Sequence, residues 1–263
     1  MHFAAFSSVG ESVADPQKYF ANNVAGTLAL LRGMMDAGCF KLVFSSTGAV
    51  YGNAGRGPIP ESAAGQTVNP YGRSKLMIEQ ILTDYRAAYR FNSVCLRYFN
   101  ACGADQCGTI GEQRDPETHL IPRALMALQG HVSDFAIYGD DYDTADGTAV
   151  RDYIHVDDLA AAHVAALALL IDGDPGGIFN LGTGVGYSIK QILDAVRTET
   201  GRSVPQVMRP RRAGDPSTLV ADPSLAESRL GFKANRSDLP RIIRSAWAWH
   251  QKAHPKIEEQ IGK

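Results

Sequence analysis

The sequence is poor in the features that mark several classes of protein. It contains 263 residues and only four cysteines, and no two of them have the C-x-x-C spacing of common metal and redox motifs. We therefore interpret Cys39, Cys95, Cys102 and Cys107 as free thiols and expect a reducing, cytoplasmic location.

Long apolar runs and an excess of charge of one sign are also missing. No stretch approaches the roughly 18 apolar residues of a membrane helix. The first residues contain no basic segment leading into a long apolar one, so we expect no signal peptide. The formal net charge is −2, which gives no global attraction to nucleic acid or to an anionic membrane. The composition is that of a soluble globular protein.

A glycine-rich dinucleotide turn is absent from the sequence as well. No strand pattern is followed by G-x-G-x-x-G at the start of a helix. The stretch GTGVG at 182–186 comes late in the chain and is better interpreted as a turn.

What is present is an alternation of apolar strands and helical patterns. Strands are predicted at 41–46 and 93–100, and helices at 15–38 and 71–89. This order predicts an α/β fold with a parallel, Rossmann-like sheet. The amino-acid composition changes after Asn100. This change predicts a first domain at 1–102 and a smaller α/β domain at 103–263. We expect part of the segment 151–182 to return to the first sheet.

The stretch NPYGRSKLMIEQ places Tyr71 and Lys75 one helical turn apart. Two interpretations stay open on this spacing alone. The pair is either an exposed aromatic beside a solvated amine or an acid/base pair. The helix also carries Met77, Ile81 and Tyr85 on one stripe. A phenol has a pKa near ~10, so service as a base near neutrality requires a lowering of roughly three units, about 4 kcal/mol. A lysine in a desolvated cleft supplies part of this lowering of the phenol pKa.

Thr47 follows the predicted strand in FSSTGAVYG. Ligands bind beyond the carboxyl ends of strands in open parallel sheets. A hydroxyl there either terminates the strand or joins the Tyr71 pair in a hydrogen-bonded set. Elsewhere, His250 and His254 have the i, i+4 spacing of metal ligands, but without a third ligand nearby a solvated helix face is favoured. We predict no metal site.

Six stretches occur in order along nearly the whole chain and together resemble one family. They are FSSTGAVYG, NPYGRSKLMIEQ, LRYFNACGA, DGTAVRDYIHVDDLAAAHVAAL, FNLGTGVGYS and PRRAGDPSTLVAD. In this order they are similar to the extended short-chain dehydrogenase/reductase family, and within it to the branch that epimerises nucleotide sugars.

The resemblance implies NAD-dependent interconversion of UDP-glucose and UDP-galactose at C4 through a 4-keto sugar. Tyr71 would take the proton of the 4-hydroxyl, Lys75 would lower the pKa of that phenol and hold the nicotinamide ribose, and Thr47 would complete the set. Positions beside the cofactor would be Phe3, Ala4, Ala5, Asn22, Tyr71, Lys75 and Tyr98. Positions beside the substrate would be Thr47, Asn100, His119, Leu120, Arg151, Arg212, Asp215 and Leu219, with the arginines on the pyrophosphate. His119 stands where relatives often have asparagine. Taken alone, Arg151 is better read as a buried ion pair with Asp152 or another acid, and Arg212 as a solvated cation.

The resemblance also implies that MHFAAFSSVGESV corresponds to the fourth strand of the Rossmann domain and the loop after it. About seventy residues, including the glycine-rich turn, would normally precede this point. We therefore expect an N-terminally truncated Rossmann half, a poorly stable chain with activity in doubt, and weak NAD binding. Tight, stoichiometric NAD on the purified protein would contradict the last expectation.

Two other functions stay open. One is a nucleotide-sugar dehydratase or decarboxylase of the same family; elimination is disfavoured because Gly48 and Ala49, not an acid pair, follow Thr47. The other is a non-catalytic sugar-nucleotide-binding remnant, which the missing glycine-rich turn favours. Family likeness further implies a homodimer through helices near 16–37 and 71–90. A bulky Leu219 predicts a preference for UDP-glucose and UDP-galactose over the N-acetylated pair.

Overall fold

The computed structural model describes residues 1–53, 55, 57–63, 65–212 and 215–254. The chain divides into two compact units. The first unit contains Met1–Phe99, Ala160–Gly184 and Ala221–Lys233, and the second contains Asn100–Leu159, Val185–Val220 and the chain from Ala234 onward. The assignment of an NAD-binding domain to 1–102 and a substrate domain to 103–263 stays a prediction.

Helices and strands alternate along most of the chain. The helices are α1 (Val9–Ala14), α2 (Pro16–Tyr19), α3 (Gly26–Asp36), α4 (Pro70–Tyr89), α5 (Leu120–Gln129), α6 (Val156–Ile171), α7 (Ile189–Thr200), α8 (Ser224–Leu230) and α9 (Leu239–Ala253), with a π-helical segment at Phe20–Ala25 and a 3-10 turn at Gly48–Tyr51. The strands are β1 (Lys41–Thr47), β2 (Pro58–Ile59), β3 (Asn92–Tyr98), β4 (Asn100–Cys102), β5 (Ala136–Tyr138), β6 (Val150–His155), β7 (Gly176–Leu181), β8 (Gly186–Ser188), β9 (Val207–Arg209) and β10 (Thr218–Ala221).

A parallel sheet of order β1-β3-β7 forms the centre of the first unit. Thr47, at the end of β1, lies opposite Tyr98, at the end of β3. The strands are apolar because both faces of a parallel sheet are covered. Helix α4 packs on them, and its apolar contacts with the sheet and α3 form one core cluster of Leu31, Leu42, Phe44, Ile78, Leu82, Phe91 and Cys95.

The outer side of β1 is paired at a single point. His2 forms an isolated parallel bridge with Phe44, in which the His2 amide donates to Val43 O at 2.9 Å and the Ser45 amide donates to His2 O at 3.2 Å. Residues 3–8, all of which the structure describes, form no strand. The strand that the resemblance implies within MHFAAFSSVGESV is therefore reduced to one paired residue.

The buried face of α4 differs from the predicted stripe. The buried residues are Tyr71, Gly72, Ser74, Lys75, Ile78, Glu79 and Leu82. Met77 is 40% exposed, and Ile81 and Tyr85 are only half-buried. Ile81 and Tyr85 of the predicted stripe pack against the core cluster, whereas Met77 does not. The face of α4 that enters the protein also includes the polar residues Lys75 and Glu79, which hydrophobic periodicity does not reveal.

The second unit is organised around β6. This strand pairs in parallel with β4 and β10 and antiparallel with β8, while β5 and β9 form a separate parallel pair. The antiparallel partner β8 ends at Ser188, the residue that also caps α7. Helices α5, α7 and α9 cover the core, which includes Ile121, Leu125, Ile192, Val196, Leu239 and Ile242.

All four cysteines are free thiols in the structure. Among the helices of the described part of the chain, none combines the length and the apolar character needed to cross a membrane.

Candidate active site

The first turn of α4 is held firmly against the loop that follows β1. The Asn69 side chain caps the helix by accepting from the Gly72 amide at 2.8 Å, and Pro70 occupies the first helical position. A Cβ added to Gly72 would lie 2.5 Å from Ala49 O, so only glycine allows the helix this close to the loop. The approach fixes the start of α4, with Tyr71, beside the strand end that carries Thr47.

Lys75 is a buried cation, with 3% of its surface exposed. Its Nζ donates to Ser45 O at 2.8 Å and lies 4.7 Å from the centre of the Phe44 ring. Burial lowers the pKa of Lys75 to about 8, an effect that the negative charge of Glu79 partly offsets. At neutral pH the side chain is therefore still an ammonium, but an easily deprotonated one.

Tyr71 and Thr47 are buried as well. The Tyr71 ring is edge-on to Tyr19, with ring centres 6.5 Å apart. Thr47 Oγ1 accepts from the Ala49 amide at 3.1 Å and so caps the 3-10 turn. The interpretation of Tyr71 and Lys75 as an exposed aromatic and a solvated amine was wrong. Their catalytic roles stay a prediction.

The sequence analysis missed a buried ion pair on the same face of α4. Glu79 lies one turn after Lys75 and pairs with Arg97 of β3, with 2.5 Å between Arg97 Nη2 and Glu79 Oε2. Arg97 Nε contacts both carboxylate oxygens, at 3.0 and 3.2 Å. Ser46 Oγ donates to Glu79 Oε1 at 2.5 Å, and Arg97 Nη1 donates to the Tyr51 hydroxyl at 2.8 Å. The spacing of Lys75 and Glu79 alone could have suggested a helical pair, but it gave no indication of burial.

The residues predicted beside the cofactor lie at different depths. Phe3 is 58% exposed, and its ring centre lies 4.9 Å from that of His163. Tyr98 is half-buried, with its ring centre 6.2 Å from the same histidine. Ala4 is exposed and Ala5 is half-buried.

Asn22 is exposed, and its neighbour Asn23 is the buried asparagine that orders this region. Both belong to the π-helical segment, a type of distortion that is frequent at functional sites. Asn23 accepts from the Phe6 amide at 2.9 Å and donates to Phe6 O at 3.0 Å and to Ser74 Oγ at 3.1 Å. Asn22 donates to Asn23 Oδ1 at 2.9 Å. Adjacent asparagines cannot be ranked by sequence pattern, because the turn of the helix decides which of them is inside.

In the second unit, Arg151 and Asp215 form an ion pair with 2.5 Å between Nη2 and Oδ1. Arg151 Nη1 donates to Val150 O at 2.7 Å, and Arg151 lies opposite Leu219 in the pairing of β6 with β10. The neighbouring acid that pairs with Arg151 is thus Asp215, which is itself one of the predicted substrate residues. Arg212 is exposed, and its guanidinium lies 4.0 Å from the centre of the Tyr138 ring.

The remaining predicted substrate residues lie at two other places in this unit. Asn100 begins β4, and its Nδ2 donates to Asp152 O at 3.1 Å. His119 precedes α5, and its Nδ1 makes a short contact with Glu112 Oε1. Leu120 is the first residue of α5 and is half-buried.

His119 also belongs to a group with the ligand types of a metal site. Ligand atoms of Glu112, Glu117 and His119 lie within 4.8 Å of one another. Arg114 pairs with Glu112 at 3.2 Å, so a cation from the protein already occupies part of this group.

His250 of α9 is not on a solvated face, contrary to our interpretation, whereas His254, which follows the helix, is half-buried. His250 is 2% exposed, and burial lowers its pKa to about 4, which leaves it neutral. The helix turns His250 toward α5, where Gln129 Nε2 donates to the His250 carbonyl at 3.0 Å.

Comparisons with known proteins agree with this arrangement. Residues 1–182 match the model of the NAD dependent epimerase/dehydratase family. The chain is 49% identical to UDP-glucose 4-epimerase of Lacticaseibacillus casei, over 97% of this chain and 77% of that protein.

Two solved structures show the same fold. UDP-glucose 4-epimerase from Brucella ovis, in complex with NAD, is 54% identical with a TM-score of 0.91, over 94% of this chain and 76% of that one. UDP-glucose 4-epimerase from Bifidobacterium longum, in complex with NAD+ and UDP, is 42% identical with a TM-score of 0.90, over 97% of this chain and 76% of that one. The predicted α/β, Rossmann-like fold is confirmed. With more than half of its length matched by the family model and close relatives along nearly all of it, the chain belongs to the NAD dependent epimerase/dehydratase family.

Proposed function

We propose that this protein is an NAD-dependent isomerase that interconverts UDP-glucose and UDP-galactose by epimerisation at C4. The observation that carries the proposal is a buried ammonium, Lys75, one turn after a buried phenol, Tyr71, on a helix that packs beside the Thr47 strand end. This arrangement occurs in a chain 49% identical to a UDP-glucose 4-epimerase.

The residues of the first unit fit the nicotinamide end of NAD. Lys75 is a buried cation with donor capacity beyond its bond to Ser45 O, since an ammonium has three N–H groups. Phe3 offers an exposed ring on the same side of β1 as His163. We assign Phe3, Ala4, Ala5, Asn22, Tyr71, Lys75 and Tyr98 to this cofactor. When bound, NAD would supply the acceptor for the hydride of the sugar carbon and the donor that restores it.

The protein's own residues perform the proton chemistry. Tyr71 takes the proton of the sugar 4-hydroxyl and later gives it back. The Lys75 ammonium favours the phenolate form of Tyr71, and at pH 7 a group with a pKa of about 8 is still roughly nine-tenths protonated. Thr47 bridges the substrate oxygen and Tyr71 by its hydroxyl. Gly48 and Ala49, which follow it, have no acid or base for an elimination.

The second unit supplies residues suited to the UDP moiety. Arg151 and Arg212 present planar guanidinium groups, whose geometry matches phosphate oxygens. Arg151 is already oriented by Asp215. Asn100, His119, Leu120 and Leu219 are assigned to the remaining contacts. A firm hold on the nucleotide leaves the hexose free to turn between the two hydride transfers.

The decisive experiment supplies UDP-galactose and NAD to the purified chain and measures UDP-glucose by NMR. We expect equilibration of the two sugars, and a loss of about 10²- to 10⁴-fold in Tyr71→Phe. The matched control is Tyr85→Phe, a half-buried tyrosine on the same helix, which should retain activity. Binding of UDP-sugar without turnover would instead favour a non-catalytic binder, and activity unchanged in Tyr71→Phe would remove Tyr71 from the mechanism.

We also propose a homodimer and a cytoplasmic location. The two helices assigned to the dimer expose apolar side chains, namely Leu28 and Leu30 on α3 and Met77 on α4. Sedimentation velocity measures the association directly. Four free thiols are compatible with a reducing compartment.

A further inference from the structure

The buried face of α4 contains an ion pair that the proposed mechanism does not use. Glu79 is 3% exposed and Arg97 is 5% exposed, so neither interacts with bulk water. Three contacts from Arg97, at 2.5 to 3.2 Å, hold the Glu79 carboxylate in place. Taking two charges out of water is expensive, and such pairs are often no more stable than apolar residues of the same size. A purely structural role therefore explains this pair poorly.

The position of Glu79 suggests a role toward Lys75. The two residues are at i and i+4 on α4, both on its buried side. Ser46 Oγ donates to Glu79 at 2.5 Å, and the residue before Ser46 supplies the carbonyl that accepts from Lys75 Nζ. Two consecutive residues near the end of β1, Ser45 and Ser46, thus contact Lys75 and Glu79 respectively.

We propose that Glu79 is a positioning residue that keeps positive charge on the Lys75 ammonium, with Arg97 and Ser46 holding the carboxylate at the required place. The proposal rests on the proposed function, because Lys75 matters there only as an ammonium beside Tyr71. Glu79 itself touches neither substrate nor cofactor in this scheme.

Groups on every element around Lys75 are consistent with this role. They are Tyr71 and Glu79 on α4, Cys95 and Arg97 on β3, His2 on the N-terminal segment and His163, which contacts Ser45 Oγ at 3.0 Å, on α6. Burial raises the pKa of the Cys95 thiol, so it is neutral near pH 7. Burial and the Lys75 charge lower the pKa of His2, which is therefore also neutral. Glu79 is the carboxylate whose negative charge raises the pKa of Lys75.

The Arg97 side chain fixes the position of the Glu79 carboxylate. Burial alone would lower the pKa of Arg97, but hydrogen bonds and the charge of Glu79 outweigh it and raise that pKa. Arg97 therefore keeps its charge over the whole working range and holds the Glu79 side chain in place by its hydrogen bonds.

The test follows the Lys75 ¹³Cε signal by NMR during a pH titration, with the signal assigned from its absence in Lys75→Met. In Glu79→Gln we expect the Lys75 pKa to fall by roughly one unit. The alkaline limb of the turnover profile should move down by the same amount, since activity is lost as Lys75 deprotonates. The neutral double variant Glu79→Gln/Arg97→Gln, which leaves no unpaired charge, serves where the single variant does not fold. We expect a smaller fall there, because loss of the Arg97 cation by itself would raise the Lys75 pKa.

The matched control is Asp158→Asn. Asp158 is a 5% exposed carboxylate of the second unit that accepts from the Ser237 hydroxyl at 2.6 Å and from the Arg236 amide at 2.9 Å. It should lose stability without changing the Lys75 titration. An unchanged Lys75 pKa in a folded Glu79 variant would overturn the inference. The titration requires neither NAD nor turnover, so its result stands even if the wild-type protein does not epimerise UDP-galactose.

Discussion

The two units balance their charged side chains in opposite ways. In the first unit, Lys75, Glu79 and Arg97 are each at most 5% exposed and their charges are satisfied by one another and by the sheet. In the second unit, the side chains of Arg151 and Asp215 stay 14% and 34% exposed, and Arg212 lies at the surface. The charged groups of the first cluster are shielded from solvent and interact mainly with one another. Those of the second cluster remain accessible to an anionic ligand.

The first cluster also has a net charge. Two cations and one carboxylate leave one positive charge in a buried place, where an uncompensated charge is costly. A phenolate on Tyr71 would neutralise it. Under the proposed function, the first group of residues prepares a base and the second binds a nucleotide. Substitutions that break one group should affect a different quantity from those that break the other.

The largest effect on stability is expected from Arg97→Met. It leaves the Glu79 carboxylate buried without its partner, so we expect the free energy of unfolding to fall by about 3–5 kcal/mol. Urea denaturation measures it. Arg32→Met is the matched control, because its ion pair with Asp36 is largely exposed and should contribute less than about 1 kcal/mol. Equal losses in both variants would show that the first cluster is not shielded from solvent.

Arg151→Met should instead affect binding. Charged hydrogen bonds to a phosphate contribute roughly 1.5–3 kcal/mol, which corresponds to a rise in KM for the UDP-sugar of about 10- to 100-fold. We expect kcat to change much less, because the proposed contact of the arginine is with the nucleotide and not with the reacting carbon. Steady-state kinetics separate the two constants. A variant with normal KM and lowered kcat would place Arg151 near the chemistry instead.

Lys75→Met sharpens the comparison by separating stability from activity. Burial lowers the pKa of Lys75 from 10.5 to about 8, so the unfolded chain binds the proton more tightly than the folded one. This penalty is complete below pH 8 and disappears as the pH rises from about 8 to 10.5. We therefore expect Lys75→Met to be inactive but about 2 kcal/mol more stable near pH 7, after allowance for the lost bond to Ser45 O.

The check on this prediction is the pH dependence of the difference. Chemical denaturation of both proteins between pH 7 and pH 10 should show the advantage of Lys75→Met shrinking as the pH increases. A variant less stable than the wild type at pH 7 would mean that the Ser45 bond and the Glu79 charge outweigh the cost of burying the ammonium.

The smallest effect is expected at Leu219, the residue opposite Arg151. Leu219→Ala should raise the turnover of the N-acetylated UDP-sugars relative to UDP-galactose by about tenfold, in line with the 1–3 kcal/mol that a change of one apolar group contributes to specificity. Competition between the two substrates measures the ratio. Equal use of both pairs by the wild type would remove Leu219 as a determinant of specificity.

Much of the first unit was predictable because its determinants are local. Asp15 and Asn69 cap their helices, and the β1 and β3 strands appear as apolar runs. The burial of Tyr71 and Lys75 was only one of two interpretations, since spacing places two side chains on one face without saying which way the face points. The exposure of Met77 on α4 could not be predicted for the same reason.

Partners far apart in sequence could not be predicted. Arg151 and Asp215 are 64 residues apart, and Arg97 reaches Glu79 only because β3 lies beside β1 beneath α4. The buried state of His250 depends on α5, which begins more than a hundred residues earlier.

The sequence by itself determined the approximate bounds of α4, β1 and β3 and the spacing of Tyr71, Lys75 and Glu79, because caps, apolar runs and helical periodicity act over a few residues. Only the tertiary structure decided which of these side chains lost contact with water and which charges came to face them. Desolvation and Coulomb interactions depend on distances through space. These determine whether the amine on α4 is an ordinary surface lysine or an ammonium with a pKa of about 8.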